Sequence, residues 1–266
     1  MRKQFKSTLL VTSLVASFAT MAAVNSEVVK TEKEMAQDKL GMTFQNLKVT
    51  SFLPSPVEGM FEINTGSNII YYYPEKDLLF FGEMYDKAGT NLTAQARDRA
   101  VIQALENLPM DSAVTIGDPN GVEIIEFTDP ECPYCIDSEP RFQQLEAQYP
   151  IKRKIVFSQF NARPTIDPET GRVVREASHP FALKKMEHII CSENQTKAYH
   201  DVMSDVVPLK DLKTCDKATA VLQAHQEIND KVGIKGTPTF IVGSQLVEGL
   251  GAKGTAIIKS YLEESK

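Results

Sequence analysis

Val122-Glu123-Ile124-Ile125-Glu126-Phe127 runs into Thr128-Asp129-Pro130-Glu131 and then Cys132-Pro133-Tyr134-Cys135. The first six residues read as an apolar strand and the next four turn the chain. A helix is expected from the cysteines toward Tyr149. Two thiols at this spacing close a small disulfide ring. A sulfur at a helix start faces backbone N–H groups that have no partner within the helix. Those groups lower the thiol pKa and make a thiolate available at neutral pH. From an unperturbed value near 8.5, each unit of depression corresponds to about 1.4 kcal/mol of preference for the anion.

The spacing alone admits half a zinc site, a redox pair or an accident. A zinc site needs two more ligands with tight spacing of their own. Cys191 and Cys215 are far apart in the sequence, and no histidine lies near the pair. The strand–helix context favours redox chemistry, so neither a metal nor a cofactor is expected beyond the reactive disulfide itself. Pro133 falls in the first helical turn, where its missing N–H costs nothing. Pro140 is expected inside the same helix, because Phe142 and Leu145 continue the pattern. Gly236-Thr237-Pro238-Thr239-Phe240 leads into a later strand, where a proline needs an edge or a special geometry. A cis Thr237–Pro238 bond is expected.

Composition bounds the rest. The 266 residues hold 29 Lys and Arg against 35 Asp and Glu, for a net charge of −6. An acidic chain without basic clusters is a poor candidate for nucleic acid binding. Arg2, Lys3 and Lys6, the apolar run from Thr8 to Thr20, and the small residues Ala22, Ala23 and Ser26 have the order of an export signal. That run is shorter than the ~20 residues of a membrane span, so residues 1–26 are read as a signal peptide. The remainder is expected in a compartment where disulfides persist. Asn91-Leu92-Thr93 and Asn194-Gln195-Thr196 match the glycosylation sequon, a pattern common by chance.

Four regions follow: the signal at 1–26, a β-rich N-terminal domain at 27–92, a linker helix at 93–110 and an α/β domain at 111–266. In the second, Leu47–Thr50, Gly59–Ile63, Ile69–Tyr73 and Leu78–Phe81 are β-like, and Pro74-Glu75-Lys76-Asp77 is a hairpin connection. So small a sheet buries little by itself. It either pairs with a second copy or packs on its own chain. Thr93 is a candidate N-cap for the linker helix, which Pro109 ends. Beyond Ala113, strands at Val122–Phe127 and Lys152–Phe157 alternate with helices at Ala182–Ile190, Thr196–Val206 and Ala218–Lys231. A strand pair at Thr239–Val242 and Gln245–Glu248 and a helix at Thr255–Glu264 complete an α/β pattern. Phe160–His179 reads as a long polar loop, and loops of that length are usually functional or mobile. His179, His188, His200 and His225 lack ligand spacing and read as surface or helix-packing residues.

Cys132, Cys135, Pro140 and Pro238 resemble the active-site pair, helix proline and cis-proline loop of the thioredoxin superfamily. Ile234–Thr239 with Gly249 and Gly251 is similar to its C-terminal half. The order of signal, small β domain, linker helix and catalytic domain resembles the periplasmic disulfide isomerases DsbC and DsbG, as do Pro54–Met60 and Gly82–Asp86. Pro133-Tyr134 with Asp129-Pro130 is closer to DsbG, whereas Cys191 and Cys215 resemble the structural disulfide of DsbC. The resemblance implies a thioredoxin-like domain with a helical insertion and a homodimer joined through the N-terminal sheets. The implied partners are misfolded exported proteins and a membrane thiol reductase of the DsbD type.

In this frame Cys132 is the exposed nucleophile that forms a mixed disulfide. Cys135 is the less exposed resolving thiol. Glu126, six residues before Cys132, either takes the proton from Cys135 or is a partly exposed strand carboxylate. Thr237 and Pro238 are expected to hold an extended substrate segment by strand addition. Tyr134 either shapes the rim of the site or is a surface ring. Isomerisation, reduction of sulfenic acids, dithiol oxidation and a non-catalytic holdase role all fit the sequence.

Overall fold

The computed structural model describes residues 30–66 and 68–265. The signal read at 1–26 lies outside the described residues. Helix α1 (Glu32–Thr43) opens with a capping box, in which Thr31 and Glu34 satisfy each other's backbone N–H groups. It is followed by β1 (Ser51–Pro54), β2 (Phe61–Asn64), β3 (Ile69–Tyr73) and β4 (Leu78–Phe80), an antiparallel sheet in that order. Leu47–Thr50, read as β-like, precedes the first strand; pairing with β2 begins only at Ser51, opposite Asn64. The central strand β3 is apolar at every alternation and is covered on both faces. Ile70 and Tyr72 pack with Ala36 and Leu40 of α1, and Ile69 and Tyr71 pack with Ala96 of the next helix.

That helix, α2 (Leu92–Glu106), is capped by Asn91, whose Oδ1 accepts from the Ala94 N–H at 2.8 Å. Thr93 is therefore not the cap. Its hydroxyl is buried 2.6 Å from the Tyr71 hydroxyl and accepts from the Met84 N–H at 2.8 Å. Asn194 caps a later helix in the same way, accepting from Lys197 N–H at 2.9 Å. Both sequon asparagines are helix caps. On its other side α2 meets the C-terminal part of the chain.

There β5 (Val114–Gly117), β6 (Val122–Thr128), α3 (Pro133–Glu146) and β7 (Ile151–Phe157) come first. The hairpin β8 (Thr165–Ile166) and β9 (Val173–Arg175) follows, then α4 (Ala182–Cys191), α5 (Gln195–Met203) and α6 (Asp216–Val232). Strands β10 (Thr239–Val242) and β11 (Gln245–Glu248) and helix α7 (Ala252–Glu264) complete the chain. The sheet order is β11-β10-β6-β7-β5, with β6 and β7 parallel and the other neighbours antiparallel. This is a thioredoxin-like fold in which α4, α5 and α6 are inserted between β7 and β10. Phe160–His179 is not a plain loop. Asp167 stabilises its tip, its side chain accepting from the Glu169 and Thr170 N–H groups, and this lets β8 and β9 pair.

The inserted helices are fastened in two places. A disulfide joins Cys191 at the end of α4 to Cys215 at the start of α6, with Cα atoms 5.7 Å apart. Helix α6 ends at Gly233 in the left-handed conformation, φ +74°, and a Cβ there would lie 2.8 Å from the Gly66 carbonyl oxygen of the N-terminal sheet. Only glycine allows both the cap and that approach.

His225 on α6 is not a surface residue. It is fully buried, its Nδ1 accepts from the Phe157 N–H at 3.1 Å, and Nε2 lies 2.8 Å from the Ser112 carbonyl oxygen. The donor at Nδ1 fixes the neutral tautomer with hydrogen on Nε2. Burial pushes its pKa down to about 4. A histidine held neutral contributes stability above its unfolded value, and that contribution is lost as pH falls through the folded one. The protein is therefore expected to lose stability in urea titrations between about pH 6.5 and pH 4. In His225→Gln this part of the loss should be absent.

Candidate active site

Strand β6 delivers the reactive segment. Its alternation sends Ile125 and Phe127 toward α2 and α6, Ile124 toward α3 and α7, and Glu126 toward Tyr199 of α5. The turn after β6 is held by Asp129, whose Oδ1 accepts from the Glu131 N–H at 2.9 Å. Cys132 is the N-cap residue of α3, Pro133 occupies its first turn, and the helix continues through Pro140. Cys135, Ser138, Glu139, Phe142 and Leu145 are its buried face. Opposite, β10 starts with Thr239 paired to Phe127, which sets Thr237 and Pro238 beside the chain leaving β6. The Thr237–Pro238 peptide is cis. Its loop is anchored by the Pro238 carbonyl, which accepts from Gly249 N–H at 2.8 Å, and by Thr239 Oγ1, which donates to the Gly236 carbonyl at 2.8 Å.

The two thiols are unlike each other. Cys132 is not the exposed sulfur expected; only 6% of the residue reaches solvent, and its thiol donates to the Thr237 carbonyl at 3.4 Å. The proline loop lies against it. Its pKa is lowered to about 5, first by the hydrogen bond from Cys135, with burial opposing. The Thr237 side chain and the Cys135 and Tyr134 backbone N–H groups add to the lowering. The helix start thus contributes, but the neighbouring thiol leads. Cys135 is 1% exposed, and burial pushes its thiol far up, reinforced by its bond to Cys132. Tyr134 between them is 75% exposed, so its ring stands at the rim.

Glu126 is buried, but its partners are not the cysteines. Arg153 Nη2 and Nε donate to Glu126 Oε2 at 2.5 and 3.0 Å, and Tyr199 Oη donates to Oε1 at 3.0 Å. Arg153 also donates to both oxygens of Glu139, at 2.8 and 3.2 Å, and to Glu146 at 3.3 Å. Its guanidinium carbon lies 4.0 Å from the Phe142 ring centroid and 5.0 Å from that of Tyr199. Burial raises the Glu126 pKa against the pull of Arg153. Glu139, Glu146 and His200 have the convergence of a metal-ligating trio. The Arg153 guanidinium already bonds both carboxylates, so a cation there would face a fixed positive charge.

A second network ties the 160–179 segment to the active-site turn. His179 Nδ1 lies 2.7 Å from Asp129 Oδ2, and the Phe181 N–H donates to Glu131 Oε2 at 2.8 Å. The histidine that is remote in sequence is thus brought to the turn before Cys132. Sequence reasoning missed Asp129, Glu139, Arg153, His179 and Tyr199. One signal was present: Arg153 stands between Ile151 and Ile155 on the inward alternation of β7, where a charge demands a buried partner.

A depressed and an elevated thiol at one helix start, beneath a cis-proline loop on this sheet, define a thiol–disulfide oxidoreductase. Comparison with known proteins agrees. Residues 110–259 match the family model described as thioredoxin, and residues 20–94 match that of the disulfide bond isomerase protein N-terminal domain. The thiol:disulfide interchange protein DsbC of Escherichia coli K12 is 24% identical over 95% of this chain and 93% of its own length. DsbC of Salmonella typhimurium is 24% identical over 93% of this chain and 94% of its own. The crystal structure of a disulfide interchange protein from Neisseria gonorrhoeae superimposes with a TM-score of 0.44 at 18% identity, covering 58% of this chain and 99% of that one. The chain belongs to the thioredoxin family, with the domain composition of the DsbC-type thiol:disulfide interchange proteins.

Because the Cys135 S–H leads in stabilising the Cys132 thiolate, Cys135→Ala should raise the Cys132 pKa above about 5. The pH dependence of alkylation by iodoacetamide measures it. An unchanged midpoint would assign the depression to the helix start and Thr237 alone.

Proposed function

We propose that this protein is an exported disulfide isomerase that acts in the periplasm as a homodimer and rearranges wrong disulfides in other exported proteins. The observation that carries this reading is the opposite displacement of the two thiols. The Cys132 thiolate attacks a substrate disulfide; one substrate sulfur becomes bonded to Cys132 and the other leaves as a thiolate. Cys135 is reluctant to ionise, so it is slow to displace the substrate. The mixed disulfide therefore persists long enough for another substrate thiol to attack it, which regenerates reduced Cys132 and leaves a rearranged bridge. When Cys135 does attack, the substrate departs reduced and the Cys132–Cys135 disulfide must be reduced by a donor of the DsbD type. Thr237 and Pro238, with Tyr134 at the rim, border the path by which an extended segment reaches Cys132. Sulfenic acid reduction, dithiol oxidation and a holdase role gain no comparable support.

The dimer reading rests on β4. Among the described residues it is an unpaired sheet edge of three residues, and Leu78, Phe80 and Phe81 are exposed on and beside it. An apolar edge of this kind invites pairing with another strand. Joined there, two copies would place two active sites about one substrate. Among the described residues no helix is long and apolar enough to cross a membrane.

Cys132→Ser should abolish the refolding of ribonuclease with scrambled disulfides, and wild-type rescue by that variant would refute the nucleophile assignment. Cys135→Ser should accumulate mixed disulfides visible on non-reducing gels; their absence removes its resolving role. In sedimentation the full chain should run at twice its own mass, and Phe80→Lys with Phe81→Lys should run as a monomer. A wild-type monomer would dispose of the dimer.

A further inference from the structure

The exchange chemistry leaves the β8–β9 hairpin unused. Every residue of both strands is exposed, and among the described residues the two strands pair only with each other. A hairpin that buries so little is marginal in water. Ile166, Val173 and Val174 nevertheless present large apolar side chains to solvent on it. Single exposed apolar residues need no explanation, whereas a cluster marks a surface that is covered in use. Strand pairing is a poor way to cover this one. Pro164 immediately precedes β8, and the register slips between Thr165 and Ile166, so Val174 is an extra residue in β9. A proline and a bulge keep an edge from pairing. The hairpin therefore offers side chains more than backbone. Its base is fixed to the active-site turn. The His179 N–H donates to the Asn161 carbonyl at 2.9 Å, and His179 Nδ1 lies 2.7 Å from Asp129 Oδ2. Phe181, whose N–H donates to Glu131, and Tyr134, just beyond Cys132, are exposed rings. The hairpin thus continues the surface on which a substrate disulfide must sit. From Asn161 to Ile166 the extended chain spans at most about 17 Å. A substrate segment needs about five to seven extended residues beyond its cysteine to cover that distance.

We propose that the hairpin is a docking platform for an apolar stretch of an unfolded, disulfide-bearing polypeptide, with Ile166, Val173 and Val174 as the contact. The stretch lies some residues away from the cysteine that Cys132 attacks, and holding it raises the local concentration of that disulfide at the thiolate. A natively folded chain buries such stretches and gains nothing from the platform. A misfolded one exposes them and is selected. The inference deepens the proposed function by giving it a means of choosing substrates, and it rests on Cys132 as the nucleophile.

The test uses the full chain as Cys135→Ser, which holds the adduct, and peptides of about twelve residues, roughly 40 Å when extended. Each peptide carries one cysteine as its mixed disulfide with glutathione, in a background of serine and threonine. Attack by the Cys132 thiolate on the peptide sulfur forms the Cys132–peptide disulfide and releases glutathione as a thiolate. The readout is the rate of that adduct by mass, divided by the rate with oxidised glutathione, which is too short to reach the hairpin. Val-Ile-Val placed about six residues from the cysteine, on one side of it, should raise this ratio about tenfold over Ser-Thr-Ser. The advantage should vanish when Ile166→Thr, Val173→Thr and Val174→Thr are combined, and it should survive N-methylation of the apolar stretch. The triple variant should sediment at the wild-type mass. An equal advantage in the triple variant would overturn the platform. Loss of the advantage on N-methylation would replace it with strand pairing, and a lower mass for the triple variant would assign the hairpin to a contact between two copies. The two levels fail separately. If Cys135→Ser captures neither peptide nor glutathione, the nucleophile itself falls; if it captures both without apolar preference on either side of the cysteine, only the platform falls.

Discussion

A single buried guanidinium organises the catalytic half of this protein. Arg153 projects from β7 into a space closed by β6, α3 and α5, and it bonds a carboxylate from two of them. Burying so strong a cation is tolerable only with good geometry and several partners. Glu126 and Glu139 provide them, and Phe142 and Tyr199 offer their ring faces. The arrangement fixes the distance between β6 and α3. Since β6 ends and α3 begins at the reactive cysteines, it also fixes the platform on which the two sulfurs sit.

On that platform the sulfurs are made unequal by depth. Cys132 lies at the helix start, where backbone N–H groups, the Thr237 side chain and the Cys135 thiol all favour its anion. Cys135 lies one turn deeper, where burial opposes ionisation. One thiol is prepared to attack and the other to wait, which is the division of labour that disulfide exchange requires. The proline loop completes the site from the far side of β6, held in register by Thr239 opposite Phe127.

The N-terminal sheet is bound to this half through α2. Thr93 joins it to Tyr71 of β3, Arg99 donates to the buried Glu62 of β2, and Lys235 reaches Asn68. Helix α2 packs on β3 on one side and on α6 and β11 on the other, and β4 is an edge of the N-terminal sheet.

The α/β alternation, the strand–turn–helix at the cysteines and the N-terminal strands were legible in the sequence, because periodicity, prolines and glycines act over a few residues. Errors fell where a neighbour distant in the chain decided. Asn91 displaced Thr93 as a cap once Tyr71 engaged the threonine. For His225 the choice between a surface and a helix-packing place, open in the sequence, was settled by Phe157 and Ser112 in the interior. Phe160–His179 folded into a hairpin whose base His179 ties to Asp129. By itself the sequence determined a thioredoxin-like chain with a dithiol at a helix start. Only the tertiary structure decided the burial of Cys132, the partners of Glu126 and the placement of Tyr199. Burial and electrostatics depend on which side chains converge from separate elements, and no local pattern records that convergence.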